Sequence, residues 1–250
     1  RCLVGSEMCI RDRPAIEFAK RLVDLTTFDK IFYTNSGAES NEGALKLAIK
    51  YTGKSEVIST TNSFHGRTLL TVTATGQPKY KEPYVKNLPQ GFKEVPYNDI
   101  EAIKEAITDE TAAIIVEPIQ GEGGINIPDP DYLPQIEKLC HENGIVFIVD
   151  EVQTGFGRCG KLFAHEIYGV KPDIMTVAKG IGGGVPMGAF LATDEVASGF
   201  EPGDHGTTFG GGPLVCAAAN ATLESLIDDN VIDNLSLIHI SEPTRHLRIS

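Results

Sequence analysis

Seven short runs rich in β-branched and aromatic residues punctuate the chain: IFYTNS, EVISTT, KEVPYN, AAIIVEP, IVFIVDEV, DIMTVA and GAFLAT. Runs of this length and composition are strand signals. Between several of them the apolar period changes to that of a helix. Ala44, Leu45, Ala48 and Ile49 share one face of ESNEGALKLAIKYTGK, which ends at Gly53. Leu133, Ile136 and Leu139 share one face of PDYLPQIEKLCHENG, which ends at Gly144. This alternation constrains the fold more than any other feature, because a helix between two strands carries the chain back to start the next strand in parallel. It predicts an α/β fold, a doubly wound layer with a mostly parallel central sheet flanked by helices. No internal repeat or low-complexity linker interrupts the pattern, and about 220 residues fit one large domain.

The two ends do not follow it. CLVGSEMCIRD (Cys2 to Asp12) back-translates to a DNA string that resembles a transposon-type sequencing adaptor, and the reverse complement of that string encodes LSLIHISEPTR (Leu235 to Arg245). Two unrelated protein segments have no reason to be opposite-strand readings of one string. The expected organisation is adaptor translation at residues 1–13 and 235–250, enclosing a native sequence, cut at both ends, at residues 14–234.

Without those ends the cysteines are Cys140, Cys159 and Cys216, with neither paired nor metal-ligand spacing, and the histidines form no HxxxH or HExxH cluster. A reducing cytoplasm and no metal are expected. The excess of 34 acidic over 22 basic residues, with no basic stripe, argues against nucleic acid or an anionic membrane as partner. No apolar run approaches the ~20 residues of a membrane span.

In sheets of this kind ligands collect at the carboxyl ends of the strands. Lys179 follows the apolar run Ile174 to Ala178 and is succeeded by Gly180, Gly182, Gly183 and Gly184. A lysine past a strand end ordinarily points to solvent. Glycines around it also suit close approach by a ligand, and in a dry pocket a neutral amine can condense with an aldehyde. Pyridoxal phosphate is the cofactor that this chemistry suggests. Ser36 and Glu39 form an S-x-x-E capping box, sufficient to explain both, while Gly37 and Ala38 leave main-chain N–H groups open to a phosphate at a helix N-terminus. Asp150 ends an apolar run and is either an N-cap or the carboxylate that keeps a pyridinium nitrogen protonated. Val152 lies on the same side of an extended chain and could pack on a ring face, and Gln153 offers an amide to the ring hydroxyl. Phe64 and Arg67 of SFHGRT are a stacking side chain and a carboxylate fork, or ordinary loop residues. Thr207 and Thr208 of HGTTFGGG suit phosphate contacts, or merely a turn.

In order and spacing, TNSGAESNE, SFHGRTL, TATGQPKY, VPYNDI, VEPIQGEGG, DEVQTGFGR, AKGIGGGVPMGA and HGTTFGG resemble the class III pyridoxal-phosphate-dependent aminotransferases across residues 14–234. The resemblance implies the large domain of the aspartate-aminotransferase-like fold. It implies that Lys179 carries the cofactor, that Gly37 and Ala38 hold its phosphate, that Phe64 and Val152 cover its two faces, that Asp150 pairs with its N1 and that Gln153 reaches its ring oxygen. It implies a homodimer, because Thr208 contacts the phosphate bound in the partner subunit. It further implies that Arg67 and Thr207 contact an N-acylated ornithine as amine donor, with 2-oxoglutarate as acceptor. Glu122 pairs with a carboxylate-binding arginine of a C-terminal domain that this fragment is expected to lack. Gly212 departs from the family, which commonly has asparagine before PL. Rival readings keep the cofactor but change the amine to ornithine, 4-aminobutyrate or a carrier-linked lysine precursor, or make the chain an aminomutase. A non-catalytic nucleotide-binding domain leaves Lys179 and Asp150 unexplained and lacks a G-x-G-x-x-G or P-loop.

Overall fold

The computed structural model describes residues 13–229 and 231–232. The expected adaptor segments, Arg13 excepted, lie outside the described residues. Each of the seven strand signals forms a strand: β1 (Lys30–Thr34), β2 (Glu56–Thr60), β3 (Phe92–Val95), β4 (Thr111–Val116), β5 (Val146–Asp150), β6 (Ile174–Val177) and β7 (Gly188–Ala192). They make one sheet in the order β1-β7-β6-β5-β4-β2-β3. Strands β3, β2, β4, β5 and β6 pair in parallel, while β7 runs antiparallel to both β1 and β6.

Every residue of β4, β5, β6 and β7 is buried, so both faces of the central sheet need cover. The period-two alternation of β5 decides what meets which helix. Val146 and Ile148 pack with Ala44, Leu45 and Ala48 of α2 (Gly37–Thr52). Phe147 and Val149 point the other way, against Ile103 of α3 (Ile100–Ala106) and Leu133 and Ile136 of α4 (Tyr132–Asn143). That second face continues under α1 (Arg13–Asp24) and α5 (Pro213–Asp228), where Phe18, Leu22 and Leu223 cover Met175, Val177 and Leu191. Each such fully buried aliphatic side chain contributes about 1.5–3 kcal/mol relative to exposure. Helices α2 and α4 end on Gly53 and Gly144, both left-handed. The expected α4 stripe is displaced at its end: Cys140 is buried where Leu139 is only partly so. Among the described residues no helix is long and apolar enough to cross a membrane.

The parallel strands β2, β4, β5 and β6 deliver their carboxyl ends to one edge of the sheet. Asp150 is the last residue of β5, the segments that follow β2, β4 and β6 carry His65, Glu117 and Lys179, and α2 starts beside the same edge.

Candidate active site

A cavity of about 500 Å³ opens at that edge. Gly37, Ala38, Phe64, Arg67, Asp150, Val152, Gln153 and Lys179 all line it. Eight of the residues singled out from sequence are thereby brought to one place.

Asp150 forms the buried side, at 3% exposure. Its Oδ2 accepts a hydrogen bond from Asn41 Nδ2 at 2.7 Å and lies 2.7 Å from His65 Nδ1, and its Oδ1 accepts from Val152 N at 3.0 Å. Burying a carboxylate costs several kcal/mol unless donors replace its water, and these three do so. Asn41 is the joint of the arrangement. The same Nδ2 donates to His65 O at 2.7 Å, and its Oδ1 accepts from Thr176 Oγ1 at 2.7 Å. One amide on α2 thus ties the loop after β2, the end of β5 and the interior of β6.

At the N-terminus of α2, Ser36 Oγ accepts from Glu39 N, half of the expected capping box. The Glu39 carboxylate reaches back not to Ser36 but to the amide and side chain of Asn35, at 2.7 and 2.8 Å. The first intrahelical bond runs from Ser40 N to Ser36 O, so the N–H groups of Gly37 and Ala38, two residues that line the cavity, precede it at the positive end of the helix. A Cβ on Gly37 would lie 2.7 Å from Val152 Cγ1, and only glycine lets α2 approach this wall so closely.

Phe64 packs edge-on against Tyr80, with ring centroids 5.5 Å apart. The Arg67 guanidinium sits 4.8 Å above the Tyr80 ring and 5.9 Å from that of Phe64, an orientation that cation–π attraction supports. Lys179 Nζ donates to Gln153 Oε1 at 2.9 Å. The Lys179 backbone is left-handed, φ 46°, a conformation that costs a non-glycine residue of order 1 kcal/mol and is typical of functional positions.

Two expectations are not met in this arrangement. Lys179 is exposed rather than enclosed in a dry pocket, and of the four glycines after it only Gly184 lines the cavity. The others serve packing instead. Gly180 faces Phe156, and a Cβ on Gly183 would lie 2.4 Å from Thr222 of α5. Thr207 and Thr208 line a different hollow, with Phe32, Glu42 and His205, in which Asn35 Nδ2 donates to Thr207 Oγ1 at 3.2 Å. Asn35 borders both spaces. Glu122 is exposed on the loop after β4, outside the cavity lining.

Four site residues escaped the sequence reading: Asn41, His65, Glu117 and Thr176. Asn41 carried a signal, since it lies three and four residues before Ala44 and Leu45, on the apolar face of α2, where a polar residue needs a partner. Glu117, directly after β4, is 4% exposed and also lines the cavity. Burial pushes its carboxyl up to about 7, opposed by His65 and reinforced by the charge of Asp150.

Fold and site together define a class. The chain matches the family Aminotransferase class-III over residues 3–241 and belongs to it. Among its relatives, acetylornithine aminotransferase of Methanothermobacter thermautotrophicus is 58% identical over 229 residues, covering 92% of this chain and 58% of that protein. Succinylornithine transaminase of Photorhabdus laumondii is 53% identical over 218 residues, covering 85% and 54%. Ornithine aminotransferase of Toxoplasma gondii, solved with partial occupancy of pyridoxal phosphate at its active site, superposes with a TM-score of 0.87 at 34% identity, over 91% of this chain and 56% of that one. The chain spans little more than half the length of each of these proteins.

Proposed function

We propose that this chain is the cofactor-binding part of an aminotransferase that moves the side-chain amine of N2-acetylornithine to 2-oxoglutarate, a step of arginine biosynthesis. The observation that carries the reading is the convergence of an amine, Lys179, and a buried carboxylate, Asp150, on one cavity lined by Phe64 and Val152. The donor set fits pyridoxal phosphate. Among the described residues Asp150 Oδ1 receives only the Val152 amide, which leaves it capacity to accept from a ring N–H. The amides of Gly37 and Ala38 are free of intrahelical bonds where a phosphate needs donors. The cavity is also within the usual size for a cofactor site.

Bound there, pyridoxal phosphate supplies an electron sink for a substrate carbanion. The protein's part is orientation and proton movement. Asp150 holds a proton on the ring nitrogen, Phe64 and Val152 fix the ring plane, and Gln153 orients Lys179 Nζ. Lys179 Nζ is the base that takes a proton from the amine-bearing carbon and returns it. Arg67, braced on Tyr80, is placed to meet a substrate carboxylate.

The substrate is inferred from the acylornithine enzymes among the relatives and from SFHGRTL with HGTTFGG. The same reading makes the protein a cytoplasmic homodimer in which Thr208 faces the partner's phosphate and Thr207 the substrate. Glu122 then pairs with an arginine outside these 250 residues, and residues 1–13 and 235–250 take no part. Borohydride reduction of the protein with pyridoxal phosphate, followed by peptide mapping, is expected to place the pyridoxyl group on Lys179. An adduct elsewhere refutes the assignment. With the recovered full-length gene, acetylornithine is expected to outcompete succinylornithine, ornithine and 4-aminobutyrate, and equal or reversed kcat/KM values refute the substrate.

A further inference from the structure

We propose that Glu117 is a positioning residue of the cofactor cavity, a single carboxyl that fastens the loop carrying Phe64 to the loop that frames Gln153. The inference rests on the cofactor reading above. Glu117 Oε1 accepts from Phe64 N at 2.9 Å, and Oε2 accepts from Gly121 N at 3.3 Å. The first bond sets the main chain from which the Phe64 ring projects into the cavity. The second holds Gly121 against Gln153: a Cβ on Gly121 would lie 2.3 Å from Gln153 Nε2, so the two residues are in contact. Gln153 in turn accepts from Lys179 Nζ. Two walls of the cavity, the aromatic one and the amine one, therefore depend on one side chain.

The carboxyl cannot swing away to serve some other partner. Tyr97 Oη donates to Glu117 O and Pro118 O, both at 3.1 Å, and fixes the main chain from outside. Both carboxyl oxygens already receive main-chain N–H groups. The titratable groups that bear on it are His65, Asp150 and the Tyr97 phenol, with Lys179 across the same cavity.

A clamp of this kind is complete only when ionised. A carboxylate presents acceptors to both N–H groups, whereas a protonated carboxyl accepts more weakly at its hydroxyl oxygen and a glutamine in its place turns a donor toward one of them and loses that bond. Ionisation near pH 7 therefore strengthens the two bonds, although burial makes the ionised carboxyl the costlier form in the folded chain.

The test compares the unaltered chain with Glu117→Gln. At pH 8, titration with pyridoxal phosphate followed by absorbance is expected to give a Kd about tenfold weaker in the variant, the size of one hydrogen bond to a charged group. At pH 6 the difference is expected to fall to about twofold or less, because the parent is then protonated too. A pH-independent ratio, or equal affinities at pH 8, overturns the positioning role while leaving the cofactor reading standing. Failure of the unaltered chain to take up pyridoxal phosphate at all overturns the cofactor reading and this role with it. A second measurement needs no cofactor. Hydrogen exchange at the Phe64 and Gly121 amides at pH 8 is expected to be slower in the unaltered chain than in Glu117→Gln, relative to amides of the central strands, because the variant lacks one of the two acceptors. Equal protection of both amides in the two proteins refutes the clamp.

Discussion

Replacing Asn41 with leucine tests the polar joint under the cavity while keeping the number and branching of side-chain heavy atoms. Asn41 is 1% exposed and makes three hydrogen bonds of 2.7 Å, to His65 O, to Asp150 Oδ2 and from Thr176 Oγ1. Leucine fills the space but pairs with none of them. The His65 carbonyl and the Thr176 hydroxyl are left buried, and among the described residues Asp150 keeps only His65 and the Val152 amide. Each buried polar group stripped of its partner costs about 1–3 kcal/mol. Allowing for local relaxation, Asn41→Leu should destabilise the domain by about 3–5 kcal/mol, a large share of the ~5–15 kcal/mol that holds a domain together. Urea unfolding followed by circular dichroism measures this as a shift in midpoint at unchanged slope. The pairing with Thr176 gives a sharper check. Thr176→Val alone orphans Asn41 Oδ1, but in the double variant neither partner is present to be orphaned, so the two losses should fall short of additivity by about 1–2 kcal/mol. A loss below about 1 kcal/mol for Asn41→Leu, or strict additivity in the double variant, would refute the reasoning.

Lys179→Gly and Lys179→Ala both remove the amine, but only glycine relieves the left-handed backbone. The glycine variant should therefore be the more stable by about 1 kcal/mol in thermal melts, and neither should retain pyridoxal phosphate after borohydride treatment. Gly37→Ala drives a methyl against Val152 at 2.7 Å. Overpacking of about 1–3 kcal/mol should push Val152 into the cavity and weaken pyridoxal phosphate binding about tenfold, and a second change, Val152→Ala, should restore it. Glu117 also predicts a stability slope. Its folded pKa of about 7 lies above the ordinary carboxylate value of 4.5. Between those values the unfolded chain has released the proton and the folded chain still holds it, so stability falls as pH rises toward 7. Glu117→Gln should remove that slope, and chemical denaturation at pH 5 and pH 8 measures it. Parallel stability–pH curves for parent and variant would contradict it.

The strands were legible because each is a short run rich in β-branched or aromatic residues, with β4 to β7 buried throughout, and residues at their carboxyl ends were legible as site candidates because the fold class sends them to one edge. The direction of β7 was not. GAFLAT has the composition of its parallel neighbours, and only its approach differs. Between β6 and β7 the chain makes a short 3₁₀ turn at Lys179–Gly182 and no α-helical crossover, a connection too brief to return to the starting edge. The glycines after Lys179 misled for a related reason. A missing Cβ tells that something comes close without telling what, and at Gly183 the neighbour is Thr222, part of a helix far along the chain.

The polar joint was hidden differently. Asn41 sits in an apolar helical stripe, Thr176 inside a buried strand and Glu117 directly after another, and each taken alone is a minor blemish in an otherwise apolar pattern. Once the strand order brings β4, β5 and β6 side by side, the exceptions fall at one end of one sheet. A buried polar residue must find a partner, so several gathered there must either satisfy each other or leave capacity for a ligand. Asn41 and Thr176 do the first, closing on each other and on Asp150. Asp150 does the second at Oδ1, and Glu117 spends its oxygens on two loops that would otherwise be free to part. Polar residues that break an apolar register are thus a signal for a site, but one that becomes readable only when topology shows which of the breaks are neighbours.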